Sequence, residues 1–350
     1  MKCFQISKWH AERLCFENEG HFRAHGPPTC WTRRSKFKGR IMKRWQLGIA
    51  LIPIFLTVAA AAPAAEPDLS KLVHLFEYDS HQSLDIHDKT VKDFNCGVIK
   101  DITYVSPSGG LVSAYEIVPK GKGPFAAVIF GHWGNGTRGE FIPEAKAYAC
   151  AGVVSLLPDY RWERPRPWYS EVDDFAHPDL DRKIRINTDV EMRRAIDLLL
   201  TRTDVDPSRV GYVGHSFGAQ WGAILSAVDR RVKAAVLMAG VAEEADLLLR
   251  SDNPRLADLR ASLPKGQLET YVETLEDINA INYVRHAQPI PLLLQFANFE
   301  QYFDRTSMER YAAAATEPKT VLFYDSAHEL NDPQAFKDRF DWLAKRLAFR

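Results

Sequence analysis

The stretch that decides the fold runs from Val210 to Gly218 and reads Val-Gly-Tyr-Val-Gly-His-Ser-Phe-Gly. It begins as an apolar strand, and residues 220–227 just beyond it have a helical pattern. Glycines stand two positions before and two positions after Ser216, which suits a turn too sharp for side chains on its flanks. Such a turn exposes the serine hydroxyl next to a helix N-terminus, where developing negative charge is stabilised. We therefore interpret Ser216 as a nucleophile rather than as part of a glycine-rich packing turn.

A serine hydroxyl is a weak nucleophile and needs a general base close to it. His328 follows the last predicted strand and precedes the last predicted helix, so its loop reaches the same sheet edge as Ser216. A third group should orient the imidazole. Two carboxylates follow the strand at 291–296, and both remain candidates. We favour Glu300, which is nearer the strand end, over Asp304, which the pattern places in the following helix.

An oxyanion needs backbone N–H groups directed at it. We expect one from Phe217 and the other from Trp133, in the loop Gly-His-Trp-Gly-Asn-Gly after a buried strand. The alternative for this loop is a merely flexible glycine loop. Aromatic rings in the next loop, at 159–175, fit a substrate pocket, although they fit a cover over the sheet edge equally well. The candidate substrate-binding residues are His132, Tyr160, Trp162 and Trp168.

Strands alternate with helices on both sides of the Ser216 turn. This alternation predicts an α/β fold with a mostly parallel sheet and helices on both faces. A helical insertion at about 241–288 interrupts the pattern before the last two strands and is either a cap over the site or filler. The predicted elements are a hairpin at 98–105 and 111–118, strands at 125–130, 153–157, 209–213, 232–238, 292–296 and 321–324, and helices at 140–151, 184–201, 220–227, 306–315 and 334–347.

The N-terminal part of the chain divides into three predicted segments. Residues 1–41 have no periodicity, and we interpret them as a disordered, non-native extension upstream of a true start at Met42. Residues 42–64 have the cations, short apolar run and small residues of a secretory signal peptide. An uncleaved membrane anchor is the less favoured alternative, because a span takes about 20 apolar residues. Residues 65–93 form a lead-in segment, and residues 94–350 form the folded domain, which we expect to be periplasmic or secreted.

Charge and composition exclude several classes of protein. Lys plus Arg and Asp plus Glu number 45 each, so the formal net charge is zero. This balance argues against a nucleic-acid groove or a polybasic membrane surface. No phosphate-binding glycine pattern, dinucleotide fingerprint or cluster of metal ligands occurs, so we expect no cofactor. Two cysteines, Cys96 and Cys150, lie in the predicted mature chain. Export would permit a disulfide between them, whereas a buried free thiol on the apolar side of a helix is the alternative for Cys150.

These motifs resemble those of the dienelactone hydrolase branch of the α/β-hydrolases, which also contains acetyl xylan esterase-like and prolyl oligopeptidase-like proteins. The resemblance covers about residues 95–348. It implies a hydrolase of esters or lactones with a Ser–acid–His triad and no cofactor. Serine stands where dienelactone hydrolases usually carry cysteine, which favours a general esterase, and Glu300 stands where aspartate is usual. The resemblance depends on Phe-Gly-His-Trp-Gly-Asn-Gly at 130–136, Pro-Asp-Tyr-Arg at 158–161, Gly-His-Ser-Phe-Gly at 214–218, Pro-Leu-Leu-Leu-Gln-Phe at 291–296 and Ala-His-Glu-Leu at 327–330.

The sequence therefore predicts an exported serine hydrolase of the carboxylesterase type that cleaves small-molecule esters or lactones through an acyl-enzyme on Ser216. We expect neither nucleic acid nor a stable membrane span after signal removal. Two rival hypotheses remain. A prolyl oligopeptidase-like peptidase is disfavoured because the chain has no propeller-length domain, and a catalytically inactive hydrolase fold could serve as an exported binding protein.

Overall fold

A computed structural model describes residues 69–350, apart from the side chains of Thr90 and Val91. The predicted extension at 1–41 and the predicted signal peptide at 42–64 lie outside the described residues. Over the described range, no helix combines the length and the apolar character that crossing a bilayer requires.

Nine strands and ten α-helices make up the described part of the chain, with three short 3-10 turns at His74–Phe76, Arg161–Glu163 and Glu276–Ile278. The strands are β1 His87–Phe94, β2 Gly97–Val105, β3 Leu111–Pro119, β4 Phe125–Gly131, β5 Val153–Pro158, β6 Val205–His215, β7 Val232–Met238, β8 Leu292–Ala297 and β9 Lys319–Tyr324. The helices are α1 Leu69–Val73, α2 Ile142–Cys150, α3 Pro178–Leu200, α4 Phe217–Val228, α5 Glu244–Leu248, α6 Pro254–Ser262, α7 Gln267–Thr274, α8 Ala280–Val284, α9 Arg305–Ala314 and α10 Pro333–Leu347.

All nine strands form one sheet in the order β1-β2-β3-β5-β4-β6-β7-β8-β9. The first three strands are antiparallel to their neighbours, and β3 is also antiparallel to β5. From β5 to β9 every neighbouring pair is parallel. The mostly parallel sheet confirms the predicted fold class and brings the carboxyl ends of β4 to β9 to one edge.

Helices cover both faces of this sheet. Side chains of β4 alternate between two hydrophobic cores, since Ile129 belongs to one and Val128 to the other. The first core lies between the sheet and helices α3, α4 and α8, where Trp221 is fully buried. The second lies between the sheet and helices α2 and α10, where Leu343 is buried. Burial of the central strands on both faces explains why they read as continuous apolar runs.

The fold begins earlier than the predicted boundary at residue 94. Strand β1 starts at His87 and pairs with β2, and Phe76 further upstream is fully buried in the first core. The predicted lead-in segment therefore contributes both an edge strand and a core side chain. Strand β1 has the sequence His-Asp-Lys-Thr-Val-Lys-Asp-Phe, whose charge is typical of an edge strand and hides it from a search for apolar alternation.

The predicted insertion contains helices α5 to α8 and lies between β7 and β8, as expected. It packs beside α3, where Arg185 bonds Glu244 of α5 and the Tyr271 hydroxyl of α7. At the start of α6, Asn253 donates a hydrogen bond to the Gln301 carbonyl oxygen in the loop after β8, at 3.1 Å. This contact brings the insertion next to the loop that carries Glu300, although its role as a cap stays a prediction.

Cys96 and Cys150 form a disulfide, with their Cα atoms 4.8 Å apart. The bridge joins the turn between β1 and β2 to the last residue of α2. Cys150 is exposed on α2. The alternative of a buried free thiol on the apolar side of that helix is therefore wrong.

Candidate active site

The turn that carries Ser216 joins β6 directly to α4. Ser216 has φ 56° and ψ −112°, a backbone conformation that L-residues rarely adopt. A Cβ atom on Gly214 would lie 2.1 Å from the Gly218 carbonyl oxygen, and one on Gly218 would lie 2.1 Å from the Gly131 carbonyl oxygen. The close approach of backbone to backbone explains the glycines that flank the serine.

Ser216 lies at the carboxyl edge of the sheet. Its N–H donates to the Met238 carbonyl oxygen at the end of β7, at 2.8 Å, and its own carbonyl accepts from the N–H of Ala219 at 2.9 Å. The residue is half-buried rather than enclosed. The hydroxyl is thus held on a rigid backbone at a position that a substrate could reach.

Glu300 and His328 form a buried hydrogen-bonded pair. Glu300 Oε2 lies 2.7 Å from His328 Nδ1, and the two side chains are 1 % and 4 % exposed. Glu300 Oε1 accepts the N–H groups of Gln301 and Tyr302 at 2.9 and 3.0 Å. A carboxylate that accepts from all these groups fixes the proton of the imidazole on Nδ1. Nε2 of His328 is then free to accept a proton.

Asp304, the other predicted acid, has a different position. Its side chain caps helix α9 by accepting the N–H of Ser307 at 2.8 Å. Among the hydrogen bonds of residues 69–350, none joins Asp304 to His328. The two carboxylates therefore have separate partners, and Glu300 is the one brought to the histidine.

The loop of His328 reaches the Ser216 turn through the neighbouring histidine. His215 Nε2 lies 2.9 Å from the His328 carbonyl oxygen, and the two rings are 5.2 Å apart. The structure thus brings Ser216, His328 and Glu300 to one place. No hydrogen bond joins Ser216 Oγ to His328 among the described residues, and such bonds often tighten only in a substrate complex.

The two predicted oxyanion donors differ in their present partners. Phe217 is the first residue of α4, so its N–H has no acceptor within the helix. The N–H of Trp133 instead donates to Glu140 Oε2 at 2.9 Å. Trp133 lies beside the site as expected, with its ring 6.5 Å from that of His215, but its N–H is already occupied by a carboxylate.

His132 and Tyr160 lie below the surface. Tyr160 has no exposed area and His132 is 1 % exposed, with ring centroids 3.8 Å apart. His132 Nδ1 donates to the Trp133 carbonyl oxygen at 2.7 Å, and Nε2 accepts the N–H of Tyr160 at 3.3 Å, so a neutral ring satisfies both contacts. Burial lowers the pKa of His132 to about 3. Neither side chain therefore lies on open surface in this structure, and for Tyr160 the burial favours the alternative role as a cover over the sheet edge.

Trp162 and Trp168 occupy different places. Trp162 Nε1 donates to the Gly134 carbonyl oxygen at 2.8 Å, and its ring lies 5.9 Å from that of Phe217, next to the Ser216 turn. Trp168 is half-buried and packs on Gly110 in the β2–β3 turn, where an added Cβ would lie 2.3 Å from its ring. Of the two tryptophans, only Trp162 packs against a residue of the candidate site.

Glu140 is a residue of the site that sequence analysis missed. Its Oε1 lies 2.7 Å from Nδ1 of His215, and its Oε2 accepts the N–H of Trp133. The His215 ring is 3 % exposed. The available signal was an acidic residue shortly after the glycine-rich loop, just before a helix. For metals, residues 69–350 contain no group of three or more His, Cys, Asp or Glu that could hold an ion.

No protein-family model matches this sequence, and no curated protein sequence matches it either. Solved structures do match. An acetyl xylan esterase from Paenibacillus sp. R4 is 20 % identical with a TM-score of 0.67, over 80 % of this chain and 93 % of that chain. Acetyl xylan esterase 1 from Thermoanaerobacterium sp. JW/SL YS485 is 16 % identical with a TM-score of 0.67, over 81 % and 94 %. A glucuronoyl esterase from Solibacter usitatus is 14 % identical with a TM-score of 0.56, over 80 % and 91 %. At these identities the similarity shows the fold, which is that of the α/β-hydrolases.

Proposed function

We propose that this protein is an exported serine hydrolase that cleaves carboxylic esters through an acyl-enzyme on Ser216. The observation that carries the proposal is the buried Glu300–His328 pair, at 2.7 Å, at the same sheet edge as a serine in a strained strand–helix turn. A carboxylate, an imidazole and a hydroxyl at one sheet edge are the parts that acyl transfer requires.

In the first half of the reaction, His328 Nε2 removes the proton of Ser216 Oγ as the oxygen bonds to the substrate carbonyl carbon. Glu300 stabilises the imidazolium that forms, because it is already bonded to Nδ1. The oxyanion is stabilised by the N–H of Phe217 and by the N-terminus of α4. His328 then gives its proton to the leaving alcohol as the ester C–O bond breaks.

In the second half, water attacks the acyl group. His328 removes a proton from the water, and the tetrahedral intermediate collapses to release the carboxylic acid and return the proton to Ser216 Oγ. The N–H of Trp133 adds a second oxyanion donor if it turns, fully or in part, from Glu140 to the substrate oxygen.

Acetylated carbohydrates are the first substrates to test. The support is the names of the structural neighbours, which are acetyl xylan esterases and a glucuronoyl esterase. Export is supported by the signal-like sequence at 42–64 and by the Cys96–Cys150 disulfide, since structural disulfides persist in oxidising compartments.

The test is hydrolysis of p-nitrophenyl acetate together with labelling by a fluorophosphonate probe. Wild-type protein is expected to react with both, and Ser216→Ala with neither. Ser226→Ala is the matched control, because this buried serine in α4 only donates to the Gly222 carbonyl oxygen. Full activity of Ser216→Ala would reassign the nucleophile. Failure of folded wild-type protein to label would favour an inactive binding protein, and faster cleavage of a prolyl peptide anilide would favour a peptidase.

A further inference from the structure

Glu140 contacts, directly or through His215, three of the four segments that carry the proposed catalytic groups; the fourth is the loop of Glu300. It bonds Trp133 in the loop after β4 and His215, the last residue of β6, which directly precedes Ser216. His215 in turn bonds the backbone of His328 in the loop after β9, at 2.9 Å. These segments are far apart in sequence, since Glu140 and His215 are 75 positions apart and His215 and His328 are 113 positions apart.

The hydrogen-bond acceptors around His215 determine which of its ring nitrogens carry a proton. The His328 carbonyl oxygen can only accept, so His215 Nε2 carries a proton. Glu140 Oε2 accepts the N–H of Trp133. The contact of 2.7 Å between Glu140 Oε1 and His215 Nδ1 then needs one proton between the two atoms. The pair is therefore net neutral and carries one shared proton, which suits a ring that is 3 % exposed.

We propose that Glu140 and His215 are positioning residues for the hydrolysis, because they hold the His328 backbone and the Trp133 loop in register with Ser216. This inference depends on the proposed function for its kinetic consequence. Neither side chain takes part in bond making. Their effect is exerted through the placement of His328, for which a displacement of about 1 Å can cost about 100-fold in rate.

Three variants test the role. Glu140→Ala is expected to lower kcat roughly 10- to 100-fold with little change in KM, because the substrate pocket stays while the base moves. Glu140→Gln is expected to recover most of that loss, since its amide can donate to His215 Nδ1 while its oxygen accepts from Trp133. His215→Phe removes both contacts of the histidine, to Glu140 and to the His328 backbone, but keeps the ring volume, and the same loss as in Glu140→Ala is expected.

Glu144→Ala is the matched control for folding. Glu144 forms another buried ion pair close by, with Arg339 of α10 at 2.7 Å, and has no bond to the three segments. This variant is expected to lose at least as much thermal stability as Glu140→Ala but to keep the kcat of its folded fraction. Wild-type kcat in Glu140→Ala, or a loss in proportion to unfolding as in Glu144→Ala, would overturn the proposal. A Glu140→Gln variant as slow as Glu140→Ala would overturn it as well.

A measurement without substrate separates this proposal from the proposed function. The downfield proton resonance of His328 Nδ1–H reports its bond to Glu300. It is expected to shift or broaden in Glu140→Ala and to stay in place in Glu144→Ala. An unchanged resonance in Glu140→Ala would overturn the positioning role even if Ser216→Ala proved the nucleophile. A changed resonance would support the role even if the nucleophile had to be reassigned.

Discussion

Glu300 and Asp304 follow the same strand but have unrelated tasks in the structure. Glu300→Ala removes the carboxylate bonded to His328 Nδ1, so we expect kcat for p-nitrophenyl acetate to fall roughly 10³- to 10⁴-fold. Asp304→Ala removes only the cap of α9, so we expect a loss of about 1 kcal/mol in unfolding free energy and a retained kcat. Steady-state kinetics and urea denaturation distinguish the two. An equal loss of kcat in both variants would reject Glu300 as the acid.

The buried His132 makes stability depend on pH. Its pKa is about 3 in the folded protein against an ordinary 6.5, so the unfolded chain binds the proton more strongly. The contribution of the neutral ring is complete above pH 6.5 and is lost as the pH falls towards 3. Between pH 7 and pH 5 this amounts to about 2 kcal/mol. Urea denaturation at both pH values should show that extra loss in wild-type protein and not in His132→Gln. An equal loss of unfolding free energy in wild-type protein and in His132→Gln between pH 7 and pH 5 would contradict this role of His132.

The sequence alone predicted the positions of some residues of the candidate site but not of others. Ser216 and His328 follow strand ends, so their convergence is a property of parallel sheets that the order of elements already contains. The choice between Glu300 and Asp304 depends on which way a short loop turns, and no periodicity encodes that. Glu140 was missed because its two bonds depend on the fold, one to Trp133 and the other to a residue 75 positions away.

At the scale of elements, Arg185 ties the insertion to α3. Its guanidinium is 1 % exposed and bonds three carboxylates, of Asp173, Asp181 and Glu244. Arg185→Met would leave these anions without their shared cation, so we expect a loss of about 3–5 kcal/mol in unfolding free energy.

Arg182 offers a comparison within the same helix. It pairs with Asp277 of the insertion, but the two side chains are 26 % and 41 % exposed. Arg182→Met should therefore cost less than about 1 kcal/mol. Chemical denaturation of both variants measures the difference, and similar losses would show that the buried cluster does not anchor the insertion.

The elements that sequence placed best are those whose two faces are both buried. Strand β4 is buried at every position, so the apolar run in the sequence predicts where the strand begins and, to within one residue, where it ends. Helix α3 begins at Pro178, earlier than the predicted residue 184, because its first turns are polar and an N-terminal proline was not used as a start signal. Strand β1 was missed for a similar reason, since it bonds through its backbone and carries charged side chains.

For the whole molecule, the disulfide closes a loop between residues 54 positions apart. In the chain-entropy account, a bridge of this span stabilises the fold by about 4 kcal/mol. The double variant Cys96→Ser, Cys150→Ser should therefore unfold at a clearly lower urea concentration. Its kcat should match that of wild type, because the start of β2 and the end of α2 lie at the sheet edge opposite Ser216.

Reduced wild-type protein is the control for the serine substitutions. It should unfold at the same urea concentration as the double variant. Coinciding midpoints for oxidised protein, reduced protein and the variant would show that the bridge contributes nothing to stability.

The backbone contact between Gly218 and Gly131 limits how this protein could diversify. A single added methyl group at Gly218 would lie 2.1 Å from the Gly131 carbonyl oxygen, so even the smallest change there displaces the turn that carries Ser216. Helix α6, in contrast, has no buried residue and lies beside the loop that carries Glu300. Random mutation and selection for new esters would therefore leave the turn unaltered and accumulate changes in the insertion. A variant library concentrated on α6 would keep most of its members folded.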